Sequence, residues 1–272
     1  MTTVKLPTWF YEQGDADYSL DVPAESFAGW QQAELPLSLE HTAVVCMHAW
    51  DCGTREEFPG WHRVVEYIPR TDAICRDVFP SLLAAVRQSP IPLFHVVGGG
   101  DYYKDLPGYR HALDIAQPDS PPAERVEADP VLEELRTFDR GPFRNAAHNR
   151  EDIRRGFKRI DFAADARPVG DEGVAENAPQ LFALCKEAGV NHLVYVGFAI
   201  NYCLLLSAGG MRDMRERGVL CSTIRQATTA VENKETARGE LAKEMGLWRV
   251  ARMFGYVYDV DDFVRAIQGG TR

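Results

Sequence analysis

The stretch His192–Arg217, HLVYVGFAINYCLLLSAGGMRDMRER, constrains the fold more than any other. Leu193–Val196 is a short apolar run of β-branched and aromatic residues, which suits a buried strand. Gly197 closes the run, and Asn201–Arg217 then has the spacing of a helix whose first half is strongly apolar. A strand that breaks into a helix through a tight turn puts the turn at the carboxyl edge of a sheet. Open α/β sheets bind their ligands there. Cys203 falls in the first helical turn, where unpaired amides and the helix dipole favour a thiolate. The competing reading is a buried structural cysteine, since free cysteines are among the most buried residues.

The rest of the chain alternates strands and helices around this stretch. Thr42–His48 is apolar almost throughout, as a central parallel strand should be. Arg70–Gln88 carries Ile74, Val78, Leu82 and Val86 on one helical stripe, with a break expected at Pro80. Pro92–Val97 reads as a second strand, closed by a turn at Gly98–Gly100, and Arg159–Ala163 as a third. Glu176–Ala188 reads as a helix ended by Gly189. A strand near Val219–Ile224, a polar helix over Lys234–Glu244, a strand at Phe254–Tyr258 and a helix over Asp261–Ile267 complete the series. Such alternation predicts an α/β protein with a parallel sheet and helices on both faces, a three-layer α/β/α sandwich.

Two segments stand outside the pattern. Residues 1–40, rich in aromatics, prolines and acids, read as an N-terminal arm that packs on its own domain or on a partner subunit. Residues 41–272 form one domain, interrupted at 101–150 by an insertion. Pro118, Pro121, Pro122, Pro130 and Pro142 leave that insertion room only for a short helix near Val131–Phe138. A long insertion of this kind serves as a lid or an oligomer contact. Its tyrosines, Tyr102, Tyr103 and Tyr109, either line a pocket or pack locally.

A formal net charge of −10 argues against nucleic acid or an anionic membrane as partner. No apolar run approaches the roughly 18 residues of a membrane span, and Met1–Lys5 does not begin a signal peptide. The six cysteines are scattered without a CxxC pair, as reduced thiols of a soluble, cytoplasmic protein would be.

Gly197–Cys203, G-F-A-I-N-Y-C, resembles the G-V-x-T-N-x-C signature of the isochorismatase-like cysteine hydrolases, relatives of nicotinamidase and N-carbamoylsarcosine amidase. The likeness continues through Met211–Met214 and Gly218, and Ala227–Ala230 resembles the family's D-A-x-A/T segment. Ile200 stands where threonine is usual. The resemblance covers roughly residues 40–100 and 155–267 and is specific only around Cys203. It implies a six-stranded parallel sheet in the order 3-2-1-4-5-6. It also implies three catalytic groups: an aspartate ending the first strand, a lysine after the third, and the cysteine as nucleophile on an amide-type carbonyl.

Aligned on Thr42–Met47, the family's aspartate falls on His48; a gap of one or two residues would move it to Met47 or Cys46, and Asp51 is within reach of the following loop. An imidazole at His48 would take the thiol proton and hold the thiolate as an ion pair. For the lysine there are two candidates: Lys158, just before the expected third strand, and Arg167, which balances charge but cannot shuttle a proton. The resemblance further implies an oxyanion site at the amides of Ala199 and Cys203 and a cis peptide at Phe198–Ala199.

The sequence thus reads as a cysteine hydrolase acting on a C–N bond of a small molecule. The alternative is a non-catalytic binding or assembly relative that has lost two of three catalytic groups. Hydrolysis of an ether or ester without a cysteine, as in isochorismatase itself, fits less well because Cys203 is present. His48 and His95 with Asp51 or His62 lack HxH or DxH spacing, so neither a metal nor a cofactor is expected. An aromatic arm on an acidic chain points to a homodimer or homotetramer.

Overall fold

The structure, a computed structural model, describes residues 2–117, 125–139 and 142–269. Of the insertion's prolines, Pro118, Pro121 and Pro122 lie outside these residues. The strands are β1 (Thr3–Glu12), β2 (Gly29–Ser38), β3 (Thr42–Met47), β4 (Trp50–Asp51) and β5 (Leu93–Val96). They continue with β6 (Asp161–Phe162), β7 (Gly173–Ala175), β8 (His192–Gly197), β9 (Leu220–Thr228) and β10 (Val257–Tyr258).

Eight strands form one sheet in the order β2-β1-β10-β9-β8-β3-β5-β7. Neighbours from β10 to β7 pair in parallel, whereas β1 runs antiparallel to both β10 and β2. The sheet is therefore larger than the six-stranded parallel one expected, and mixed. The difference comes from β1 and β2, which extend the sheet as a hairpin instead of lying across it as an arm. Trp9 anchors that hairpin: it sits in register with Val257, and its Nε1 donates to Asp259 Oδ2 at 2.6 Å.

The third parallel strand is also not where the sequence put it. Only Asp161–Phe162 of the Arg159–Ala163 run is extended, and it pairs antiparallel with β4 in a separate two-stranded sheet. The position beside β5 is taken by β7, three residues long and wholly buried. A side chain at Gly173 would bring Cβ within 2.8 Å of Leu184 Cδ1 and 3.0 Å of Phe94, so this strand reaches its place by being small rather than apolar.

β3 and β8 are buried along almost their whole length because both faces of the sheet are covered. On one face lie Ile68–Asp77, Phe79–Arg87 and Val260–Gly269, packing Phe79, Leu82 and Phe263 against Val44 and Val194. On the other lie Ala178–Glu187, Met211–Glu216 and Leu241–Met253, packing Leu181, Met214 and Leu247 against Val45 and Tyr195. The stripe read as Arg70–Gln88 is divided at Val78, with Pro80 in the first turn of the second helix, where its missing N–H costs nothing. The polar helix expected at Lys234–Glu244 instead runs from Leu241 to Met253. The single helix expected over Asn201–Arg217 is two short ones, Cys203–Leu206 and Met211–Glu216. Between them the carbonyl of Gly209 accepts from the buried Tyr195 hydroxyl at 2.8 Å, which turns the chain. Beyond the helix at Pro130–Asp139, the insertion contributes Pro107–Ile115, and Arg150–Arg159 follows it. No helix among the described residues is long and apolar enough to cross a membrane.

Candidate active site

β3 and β8 are neighbours, with Met47 in register with Gly197, so the residues that follow them share one sheet edge. The turn after β8 is shaped by contacts that explain its residues one by one. Gly197 has φ +116°, and a Cβ there would lie 2.0 Å from the Met47 carbonyl oxygen. Only glycine fits. The Phe198 amide donates to that same carbonyl at 3.1 Å, and the Phe198–Ala199 peptide is cis. Ile200 is fully buried, close enough to Gly246 that a Cβ there would lie 2.7 Å from Ile200 Cγ2, an apolar setting that suits Ile200 better than a threonine.

The segment after β9 clasps this turn. Thr228 Oγ1 donates to the Gly197 carbonyl at 2.8 Å, and the Ile200 amide donates to the Thr229 carbonyl at 2.8 Å. Asn201 bonds Val231 twice, Nδ2 to its carbonyl and Oδ1 from its amide, both at 2.9 Å. The carbonyl of Ala199 accepts from Tyr202 and Leu204 at 3.2 and 3.1 Å. Among the described residues, the amides of Ala199 and Cys203 donate to no backbone carbonyl of a turn or loop.

Cys203 and His48 line the same small cavity, of about 90 Å³. Its walls are Trp50, Trp61, Val65, Tyr67, Ile68, Phe157 and Phe198, with Cys52 and Thr71. Cys203 is the one cysteine of six that is not buried. Burial pushes the thiols of Cys52, Cys75 and Cys185 up to about 12, and those of Cys46 and Cys221 higher still. The helix that Cys203 opens is only four residues long, so its dipole offers a thiolate little.

His48 has φ +52°, and its amide donates to the Val96 carbonyl at 3.0 Å. Its ring stacks on Trp50, and Nδ1 is buried with no hydrogen-bond partner among the described residues. Desolvation lowers its pKa to about 4, so the ring is neutral at pH 7. A ring walled by indole is poorly solvated, and that disfavours its protonated form.

The remaining sequence candidates lie outside the cavity. Lys158 is exposed on Arg150–Arg159, a helix that turns Phe157 to the site instead. Arg167 pairs with Asp161 and sits 5.6 Å over the Phe162 ring. Asp51 is exposed, 3.4 Å from Arg159, and accepts from the Gly53 amide at 2.8 Å. The residue directly after β7, where the resemblance implies a lysine, is Glu176, whose Oε2 accepts from Tyr103 at 2.8 Å. His95 donates to Glu172 at 2.9 Å and His62 bonds the Gly53 carbonyl at 3.1 Å. Among the described residues no three His, Cys, Asp or Glu side chains gather as metal ligands.

Sequence reasoning missed the walls. Trp50 follows His48 by two residues, and Trp61, Tyr67 and Ile68 come from the next helices. The concentration of aromatics just after the first strand was the available signal. Of the insertion's tyrosines, Tyr103 and Tyr109 pack against each other at 5.0 Å, whereas the Tyr102 hydroxyl holds Trp50 Nε1 at 2.7 Å.

No protein-family model matches the chain, and no curated protein does. Among solved structures it is similar to a cysteine hydrolase from Pseudomonas syringae pv. phaseolicola. The two are 14% identical over 87% of this chain and 96% of that one, with a TM-score of 0.48. An isochorismatase family protein from Burkholderia thailandensis is 15% identical over 84% and 96%, with a TM-score of 0.46. N-carbamoylsarcosine amidase from Thermoplasma acidophilum is 14% identical over 81% and 97%, with a TM-score of 0.44.

Proposed function

We propose that this chain is a hydrolase that cleaves a C–N bond of a small, uncharged substrate, with Cys203 as nucleophile and His48 as proton carrier. The observation that carries the reading is that the one cysteine not buried shares an aromatic cavity with a neutral imidazole. Cys203 also ends the G-F-A-I-N-Y-C turn, whose Ala199 and Cys203 amides are left for a developing oxyanion. Among the described residues, no Lys, Arg, Asp or Glu lines the cavity. A charged substrate would be desolvated there without a partner, so the preferred substrates are neutral.

In the reaction, the Cys203 sulfur bonds to the carbonyl carbon while its proton passes to His48. The C–N bond breaks as that proton moves to the leaving nitrogen, leaving a thioester. Water, deprotonated by the same imidazole, then releases the acid and the thiol. A depressed pKa makes His48 a weak base but makes its conjugate acid a strong donor to the leaving group.

The second reading, a binding protein with a degenerate site, draws on Lys158, Arg167 and Asp51 lying outside the cavity. Incubation with uncharged amides and intact-mass spectrometry separates the two. A +acyl adduct on Cys203 and turnover lost in Cys203→Ser support the hydrolase. Saturable binding without adduct or product, unchanged in Cys203→Ser, supports the binding protein.

A further inference from the structure

Among the described residues, two hydroxyls line the Cys203 cavity, those of Tyr67 and Thr71. Thr71 Oγ1 is committed, donating to the Ile68 carbonyl at 2.7 Å. The Tyr67 hydroxyl has no hydrogen-bond partner among the described residues. In a cavity of only about 90 Å³, that hydroxyl, the Cys203 thiol and the His48 ring face one bound molecule. Burial, and after it the charge of a Cys203 thiolate, push the Tyr67 phenol well above its ordinary 10. Its proton therefore stays in place as a donor across the neutral range.

Tyr67 is also fixed relative to the nucleophile's turn. It caps the helix Ile68–Asp77, and its carbonyl accepts from the Arg70 and Thr71 amides at 2.9 and 3.0 Å. Arg70 reaches from that first turn to the Ala230 carbonyl at 3.4 Å and to Glu66 Oε1 at 3.0 Å. Glu66 Oε1 in turn accepts from the Glu232 amide at 3.1 Å. Ala230 and Glu232 alternate with Thr229 and Val231, which bond Ile200 and Asn201. One segment thus holds both the turn that carries Cys203 and the helix start that carries Tyr67.

A thiolate in an apolar cavity is costly unless a group donates to it. Among the described residues no Lys or Arg lines this cavity, and the His48 ring is neutral at pH 7. We infer that the Tyr67 hydroxyl donates to the Cys203 sulfur as it ionises, in place of the cation that the site lacks. The cysteine proton passes to His48, the phenol keeps its own, and only a hydrogen bond forms. A neutral donor suits uncharged substrates, because no buried cation is left unpaired once the sulfur becomes a thioester. The inference rests on the hydrolase reading in taking Cys203 as the nucleophile.

Tyr67→Phe keeps the ring and removes the donor. Iodoacetamide, a small uncharged amide, reports the thiolate without turnover by forming an S–C bond and releasing iodide, and peptide mass spectrometry assigns the adduct to Cys203. At pH 7 the variant should alkylate about tenfold or more slowly than the native chain, since a hydrogen bond to a charged group is a strong one. The two rates should converge as pH rises, because ionisation then no longer needs the donor. Equal rates across pH 6–10, or a ratio that does not change with pH, overturn the inference, since a merely structural role gives one factor throughout. Amide turnover lost in Tyr67→Phe with an unaltered alkylation profile overturns it too and leaves the hydrolase reading standing. Converging profiles in a native chain without turnover support the hydrogen bond and sink the hydrolase reading. If phenylalanine disturbs the wall, 3-fluorotyrosine at position 67, a stronger donor of nearly the same size, should raise the rate at pH 7, and no rise counts against the inference.

Discussion

The imidazole of His48 stacks on the indole of Trp50, with ring centroids 4.5 Å apart and planes 17° from parallel. Trp50 is held from behind by Tyr102 and edge-on by Phe157 at 6.3 Å. The stack excludes water from the imidazole, and that is what takes its pKa from the ordinary 6.5 to about 4. The working form of His48 is therefore present throughout the neutral range. Turnover should stay level as pH falls through 6.5 and drop about tenfold per unit only below about 4. Trp50→Ala should move that limb upward, towards 6.5. A native acid limb already near 6.5 in the pH profile of kcat/KM would contradict the assignment.

Substitution of His48 must respect its left-handed backbone. Asparagine tolerates φ +52° better than alanine does, so His48→Asn isolates loss of the base from loss of the fold. Turnover should fall by roughly 10²–10⁴ with thermal stability nearly kept. His48→Asp, which restores the residue implied by the resemblance, should not rescue activity. Neither Lys158 nor Arg167 lines the cavity to balance the new charge, and an unpaired carboxylate among Trp50, Trp61 and Phe198 is costly. Activity in His48→Asp close to native would show that a cation reaches the site after all.

The clasp on the nucleophile's turn gives a third test. Asn201→Ala removes both bonds to Val231 and leaves that residue's amide and carbonyl unsatisfied. Val231 is only partly buried, so the cost should be about 1–2 kcal/mol, the loss of two hydrogen bonds each worth about 0.5–1.5 kcal/mol. Denaturant unfolding reads it directly. Asn201→Asp keeps the acceptor and loses only the donor, so it should fall between native and alanine. Equal stability for all three would mean the clasp contributes nothing.

Those elements were legible in the sequence whose causes are local. The Gly197 turn, the run of β3 and β8 and the Gly189 helix end all follow from short-range sterics and two-sided burial. The N-terminal hairpin was hidden because its register is set by a non-local contact, Trp9 on Val257, and because Pro7 and Pro36 blur its alternation. β7 was hidden because three small residues carry no apolar run. The cavity illustrates the same divide. Cys203 and His48 end adjacent strands and could be paired from topology. Phe157 reaches them only because the helix that follows the insertion packs over the site, and no spacing rule anticipates that.

The cluster of buried His95, part-buried Glu172 and more exposed Arg87 ties β5 to the start of β7 and supplies the last prediction. Burial by itself would push the Glu172 carboxyl up. Hydrogen bonds from His95 at 2.9 Å, Arg87 at 2.7 Å and the Val169 amide at 3.0 Å outweigh that and bring its pKa down to about 2. A carboxylate whose folded pKa lies below its unfolded value stabilises the fold above the unfolded value. The stabilisation is lost as pH falls from about 4.5 through about 2. His95 adds a separate loss at higher pH: burial lowers its pKa, so below about 6.5 the unfolded chain takes up a proton that the folded one refuses. Glu172→Gln keeps an acceptor for His95 but gives up the charge, and should cost about 1.5–3 kcal/mol at pH 7. Its stability should also fall less steeply than that of the native chain between pH 4.5 and 2, while the decline below 6.5 remains. Urea unfolding at pH 7, 5 and 3 measures both. Parallel losses in the two proteins between pH 5 and 3 would mean that Glu172 is not the group that titrates.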